Sequence, residues 1–304
     1  MRKTQEDETQ TAVPPIRGYL LHITHYDPAW VANKEKEEPF NVDVGLQVID
    51  AMAEARLNLL LIDPKDGVRY LTHPELARPY SQDIQILSTL SEYAARRGIE
   101  TALKLNFSQS ALHQHNHWFR PHNKLFDSPQ YWKLAFEIID ELLAIVRPPR
   151  FFHIGMDEDH DRSYGQYVDA IKTLHGELAA RHLRTLMWND SACHWPQAAI
   201  HRDKALEAER QVPKDVIHVL WDYGNWDPAA LSRLRESGFD LWGAPGGKPE
   251  LVRHMRDGLL KVGGMGILLT NWTPCVASRR EELLTRISVC GPVCSGQITG
   301  GERK

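Results

Sequence analysis

The 304-residue chain has little of what would send it to a membrane, a nucleic acid or an oxidising compartment. No run of about 18 apolar residues occurs, so hydropathy offers no membrane-spanning helix. There is no basic surplus. Lys and Arg number 36 against 40 Asp and Glu, the formal net charge is −4 and the pI is near 6.4, and the cations are scattered rather than striped, which argues against a nucleic-acid partner. The opening MRKTQEDETQTAVPP lacks the apolar core of a signal peptide, so a soluble, cytoplasmic protein is expected. Cysteine is scarce: Cys193, Cys275, Cys290 and Cys294 fall in no paired metal-ligand spacing, and reduced thiols are the default. Nothing in the sequence calls for a cofactor.

What is present is an ordinary globular composition, 42% hydrophobic and 25% charged, arranged in one repeated pattern. Short β-type runs at 17–24, 57–63, 99–107, 151–157, 184–190, 216–223, 239–245 and 266–272 alternate with segments of helical periodicity, for example 44–56, 83–97, 131–146 and 167–182. The alternation predicts a single-domain (β/α)8 barrel over 16–304, preceded by a polar tail at 1–15, with no linker to divide it.

In such a barrel the chemistry lies at the C-terminal strand ends. Those ends carry His22, His25 and Asp27 on the first strand, Asp63 and Asp66 on the second, and Lys104 and Asn106 on the third. The fourth supplies His153, Asp157 and Glu158; the fifth Trp188, Asn189 and Asp190; the sixth Trp221, Asp222 and Tyr223; the seventh Trp242; the eighth Asn271 and Trp272. Two features stand out. The run FFHIGMDEDHDR, 151–162, ends a buried strand in Asp157, Glu158, Asp159 and Asp161, a crowd of carboxylates that is either solvated, as in many loops before a helix, or used. Trp188, Trp221, Trp242 and Trp272, assigned to one level of consecutive strands, read as walls for a flat ring with apolar faces, as a sugar has.

HIGMDE resembles the H-x-G-G-D-E signature of glycoside hydrolase family 20, the β-N-acetylhexosaminidases. Arg17-Gly18 opens the first strand as in that family, LNLLLIDPKDGVRYLTHPEL is similar to its second-strand segment, YAARRGIE to its approach to the third, and the later tryptophans follow in its order. The chain departs from the family at Met156, which replaces the second Gly of the signature, and at the ends of strands one, three, seven and eight. The resemblance implies a retaining exo-glycosidase that cleaves a terminal hexosamine from a carbohydrate substrate. Glu158 would be the general acid/base, and Asp157 would orient the substrate's own 2-acetamido group, the nucleophile of this substrate-assisted route. Arg17 would hold ring hydroxyls, as the family's arginine does, and His22, His25, His153, Asp190, Tyr223 and the four tryptophans would contact substrate. The residues alone make the same pair attractive, because glycoside cleavage needs a protonated acid and a negative charge near the developing oxocarbenium centre.

The loop HQHNHWFRPH supports a rival on the same face. His113, His115, His117 and His122, with His22, His25 and Asp157, would form a divalent-metal site for a metal-dependent hydrolase, although the first strand reads H-I-T-H rather than the H-x-H of metal amidohydrolase barrels. A third reading is a barrel that binds glycan without cleaving it.

Overall fold

In the computed structural model, which describes residues 12–24, 37–224 and 226–297, the eight anticipated runs form one closed parallel barrel. The strands are β1 (Ile16–His22), β2 (Leu59–Asp63), β3 (Glu100–Lys104), β4 (Phe151–His153), β5 (Arg184–Asn189), β6 (Ile217–Trp221), β7 (Leu241–Ala244) and β8 (Gly266–Leu269). Each pairs with its neighbour in sequence and β8 closes on β1, Ile16 standing beside Gly266. The helices are α1 (Val42–Glu54), α2 (Ile86–Ala95), α3 (Pro129–Val146), α4 (Tyr164–Ala180), α5 (Ala199–Gln211), α6 (Ala229–Glu236), α7 (Pro249–Val262) and α8 (Arg280–Cys294). Most of the polar tail, residues 1–11, lies outside the described residues, as do His25 and Asp27. Among the described residues, no helix is long and apolar enough to cross a membrane.

Strand periodicity divides the apolar residues into two cores. Leu59 and Leu61, Leu186 and Trp188, Ile217, Val219 and Trp221, and Trp242 and Ala244 pack together inside the barrel. Their strand neighbours Leu60, Ile62, Met187, Leu220 and Leu241 join the helices in a larger outer core. All four cysteines are free and buried.

The segment between β4 and α4 decides where the acidic residues go. β4 stops at His153, earlier than its apolar run, because Gly155, Met156 and Glu158 have φ of +75°, +76° and +51°. Left-handed backbone cannot continue a strand. The next helix starts with Ser163, whose hydroxyl caps Gln166 N–H while the Gln166 side chain returns to Ser163 N–H. No carboxylate stands in the first turn of α4, so these acids do not serve the helix dipole.

Candidate active site

One half of the mouth, on β1 to β3, is a closed ionic cluster. His22, Asp63, Lys65 and Lys104 are all buried. Asp63 Oδ2 accepts from Lys104 Nζ at 2.9 Å and lies 3.6 Å from Lys65 Nζ and 3.1 Å from His22 Nδ1. Burial alone would raise the Asp63 carboxyl; Lys104 and Lys65, helped by His22, outweigh it and hold the group below the usual carboxylate range. His22 is pushed the other way by burial, to about 4, and stays neutral with its ring 5.2 Å from that of Trp272.

The other half, on β4 to β6, is built around Asp157 and Glu158. In a regular strand these neighbours would face opposite ways; the left-handed turns bring both carboxylates to one imidazole. His115 Nε2 is 3.0 Å from Glu158 Oε2 and 3.8 Å from Asp157 Oδ2. Gly155 is required for a second reason, since a Cβ there would stand 2.1 Å from Asn106 Oδ1. That oxygen accepts from the N–H groups of Met156 and Ser108, at 3.2 and 3.0 Å, and from the Ser108 hydroxyl at 2.8 Å. With its oxygen so committed, the Asn106 amide must turn its NH2 to Asp157, donating to Oδ1 at 2.7 Å. Met156 occupies a left-handed position that the family signature gives to glycine, and Tyr167 holds it there by donating its hydroxyl to Met156 O at 2.8 Å.

Asp190 supports the pair from behind. It accepts from Glu158 N–H at 2.8 Å and from Trp221 Nε1–H at 2.7 Å, and His201 Nδ1 is 3.3 Å away. Burial raises its carboxyl, with Asp157 adding to the effect and His201 opposing it. His153 is neutral: burial first and Lys104 second hold it well below its ordinary value, and its Nδ1 accepts from Gly155 N–H at 3.0 Å. The ring lies 4.3 Å from Trp188.

The acidic run is therefore divided by use. Asp157 and Asp159 are buried, Glu158 is partly buried and Asp161 is exposed. Asp159 is structural, accepting from Gln109 N–H, Arg162 and Lys204 at 2.8, 2.8 and 3.2 Å.

Two expected contacts are not at the mouth. Arg17 is the second residue of β1, and strand starts lie at the far end of the barrel; its guanidinium donates to the carbonyls of Arg56, Pro14 and Pro15. Trp242 is likewise second in β7, buried in the barrel interior with its ring 5.2 Å from Phe151 and directly under the Gly266 Cα. The aromatic wall has other members. Trp221 lies 5.3 Å from Trp195 and 5.4 Å from Tyr223, and Trp272 stands 6.5 Å from Tyr223 and 6.0 Å from the buried Trp188 below. The Tyr223 hydroxyl lies 3.4 Å from Thr270 Oγ1.

Trp195, His201 and the role of His115 were not anticipated. Their signal was weak, a lone Trp in CHWP, a histidine on α5 and one of four in a loop. The metal arrangement drawn from sequence is dispersed: His22 goes to Asp63, and His122 Nε2 to Glu75 at 2.7 Å. Among the described residues, His113, His115 and Glu158 converge closely enough to ligate an ion, as do His73, Glu75 and His122.

With this geometry in place, the chain can be set beside proteins similar to it. The solved chitobiase of Flavobacterium johnsoniae superposes with a TM-score of 0.67 at 15% identity over 95% of this chain and 48% of that one. At the level of the fold, the resemblance to glycoside hydrolase family 20 holds. The exo β-N-acetylglucosaminidase of Vibrio harveyi, solved with N-acetylglucosamine, gives 0.65 at 14% identity, covering 96% of this chain and 55% of that one; this chain thus spans about half the length of both. In sequence it is 27% identical over 267 residues to Hexosaminidase D of Bos taurus, covering 71% of this chain and 75% of the relative. No family model matches the chain.

Proposed function

We propose that the chain is a retaining exo-glycosidase of the β-N-acetylhexosaminidase kind, removing a terminal hexosamine from a glycoside or glycoconjugate. The observation that carries this reading is the convergence of Asp157 and Glu158 on His115, with Asn106 fixing the Asp157 carboxylate. Glu158, partly open to solvent and within reach of the His115 and His113 imidazoles, protonates the leaving oxygen. Asp157, whose Oδ1 is held by Asn106, accepts the acetamide N–H and thereby aims the acetamide oxygen at the anomeric carbon. As that oxygen attacks, positive charge spreads over the cyclised ring and the Asp157 carboxylate stabilises it. Glu158 then removes a proton from the water that opens the ring, and the two inversions give net retention. Trp221, Trp195, Tyr223 and Trp272 offer apolar faces to the sugar, above Trp188. Sequence similarity to a protein named Hexosaminidase D and fold similarity to a chitobiase support the same reading.

The test is hydrolysis of a panel of aryl glycosides with and without a 2-acetamido group. Turnover confined to the acetamido sugars is expected; turnover on none would favour a glycan-binding barrel. A cytoplasmic location is part of the proposal, supported by four unpaired buried thiols and tested by fractionation.

A further inference from the structure

The excursion after β2 and the loop after β3 bring three ligand-type side chains together outside the catalytic pair. Glu75 Oε1 lies 2.7 Å from His122 Nε2 and 3.1 Å from His73 Nδ1, and the three ligand atoms lie within 4.8 Å of one another. A tetrahedral zinc with bonds of about 2.0–2.2 Å has its ligand atoms roughly 3.4 Å apart, so small side-chain rotations suffice. A fourth residue supplies an independent sign. Glu137 on α3 places Oε2 3.2 Å from His73 Nε2, the carboxylate–histidine arrangement that fixes a ligating imidazole by holding its remote N–H and leaves the Nδ1 lone pair facing the site. His73 thus faces a carboxylate with each of its ring nitrogens. The His73 and His122 rings are 6.3 Å apart and nearly perpendicular, so each can turn its nitrogen to a common centre. The His73 side chain is 7% exposed and that of Glu75 38%, which leaves room for water as a fourth ligand.

We infer that His73, Glu75 and His122 form a zinc site, with Glu137 as the orienting carboxylate. Two imidazoles and a carboxylate suit zinc among the common divalent ions. The ion would staple the Pro74–Leu76 turn to the His122–Leu125 turn, where Arg78 Nη2 already donates to Arg120 O at 3.0 Å. The second of these turns follows the loop that brings His113 and His115 to Glu158, but the ligands are other side chains, so the inference does not rest on the reaction assigned to the mouth.

The experiment uses the untagged full chain, stripped with a chelator and titrated with Zn2+ against a chromogenic competitor, with Co2+ as a spectroscopic substitute. The expected result is about one equivalent of zinc, a rise in Tm on binding, and strong visible absorption of tetrahedral Co2+. His122→Ala and Glu75→Gln should each weaken binding by more than tenfold and abolish the Tm rise, Glu137→Gln should weaken it about 10–100-fold, and His113→Ala should leave it intact. Absence of binding to the wild-type chain overturns the inference. So does an ion lost in His113→Ala and retained in His122→Ala, which would put it at Glu158. Should His122→Ala fail to fold, Glu75→Gln and the wild-type Co2+ spectrum decide, a weak octahedral spectrum counting against the site.

Discussion

The two halves of the barrel mouth hold similar numbers of ionisable groups and treat them in opposite ways. On β1 to β3, Asp63 is surrounded by Lys104, Lys65 and His22, so its charge is balanced and its geometry closed. On β4 to β6, Asp157, Glu158 and Asp190 share the uncharged donors Asn106, Trp221 and a backbone N–H with the imidazoles of His115 and His201. Compensation makes the first half a support. The amide, indole and imidazole groups of the second hold its carboxylates at the strand ends where a ligand would meet them. A buried ion cluster and a candidate active site thus stand at neighbouring strand ends, and the kinds of donor in each tell them apart.

The comparison breaks most visibly at Glu158. Glu158→Gln should reduce cleavage of substrates with poor leaving groups by about 10²–10⁴-fold while sparing activated aryl glycosides, which need little proton donation; equal losses on both, measured as kcat/KM, would deny it the acid role. The matching change in the other half acts on stability. Asp63→Ala removes the buried carboxylate that accepts from Lys104 and should cost about 3–5 kcal/mol in denaturant unfolding, whereas Asp190→Asn, which keeps neutral hydrogen-bonding capacity, should cost much less.

Acid sharpens the contrast further. His22, depressed to about 4, and His153, well below its ordinary value, are neutral in the fold and titrate near 6.5 once unfolded. Their contribution to stability is complete above about pH 6.5 and is lost as pH falls toward their folded values, because the unfolded chain takes up protons that the fold excludes. His218, within β6 and also pushed down to about 4 by burial, adds to the loss. Each steepens the fall by about 1.4 kcal/mol per pH unit. Asp190 has the opposite sign: its raised carboxyl favours the fold at low pH, and that contribution disappears as pH rises through the raised value. Urea midpoints from pH 7 to 4 should therefore fall with a slope of more than one proton, and Asp190→Asn should make the fall steeper. A flat profile would mean that the buried histidines are charged in the fold.

Fold and site were legible to different depths in the sequence. Every barrel strand could be read from a short apolar run, because period-two burial and helical spacing leave separate traces. Height along a strand could not. Arg17 and Trp242 each stand second in their strands, which places one at the far end of the barrel and the other inside it, yet in sequence they resemble residues of the mouth. The Asp157–Glu158 pair was visible as a motif, but how neighbours come to share one imidazole depends on left-handed φ at Met156 and Glu158, residue types that do not announce it. Asn106 could be placed at a strand end, while its role follows only from the close approach of Gly155.

The central claim is that Asp157 holds an acetamido group that acts as nucleophile, and calorimetric binding of a thiazoline mimic of the cyclised intermediate addresses it most directly. The mimic should bind the wild-type chain far more tightly than the parent sugar, and Asp157→Asn should weaken it by about 1.5–3 kcal/mol, the worth of a charge-assisted hydrogen bond. A mimic that binds no better than the simple sugar, together with good turnover of a substrate lacking the 2-acetamido group, would contradict the account and move the search for a nucleophile to Asp190 or Asp222.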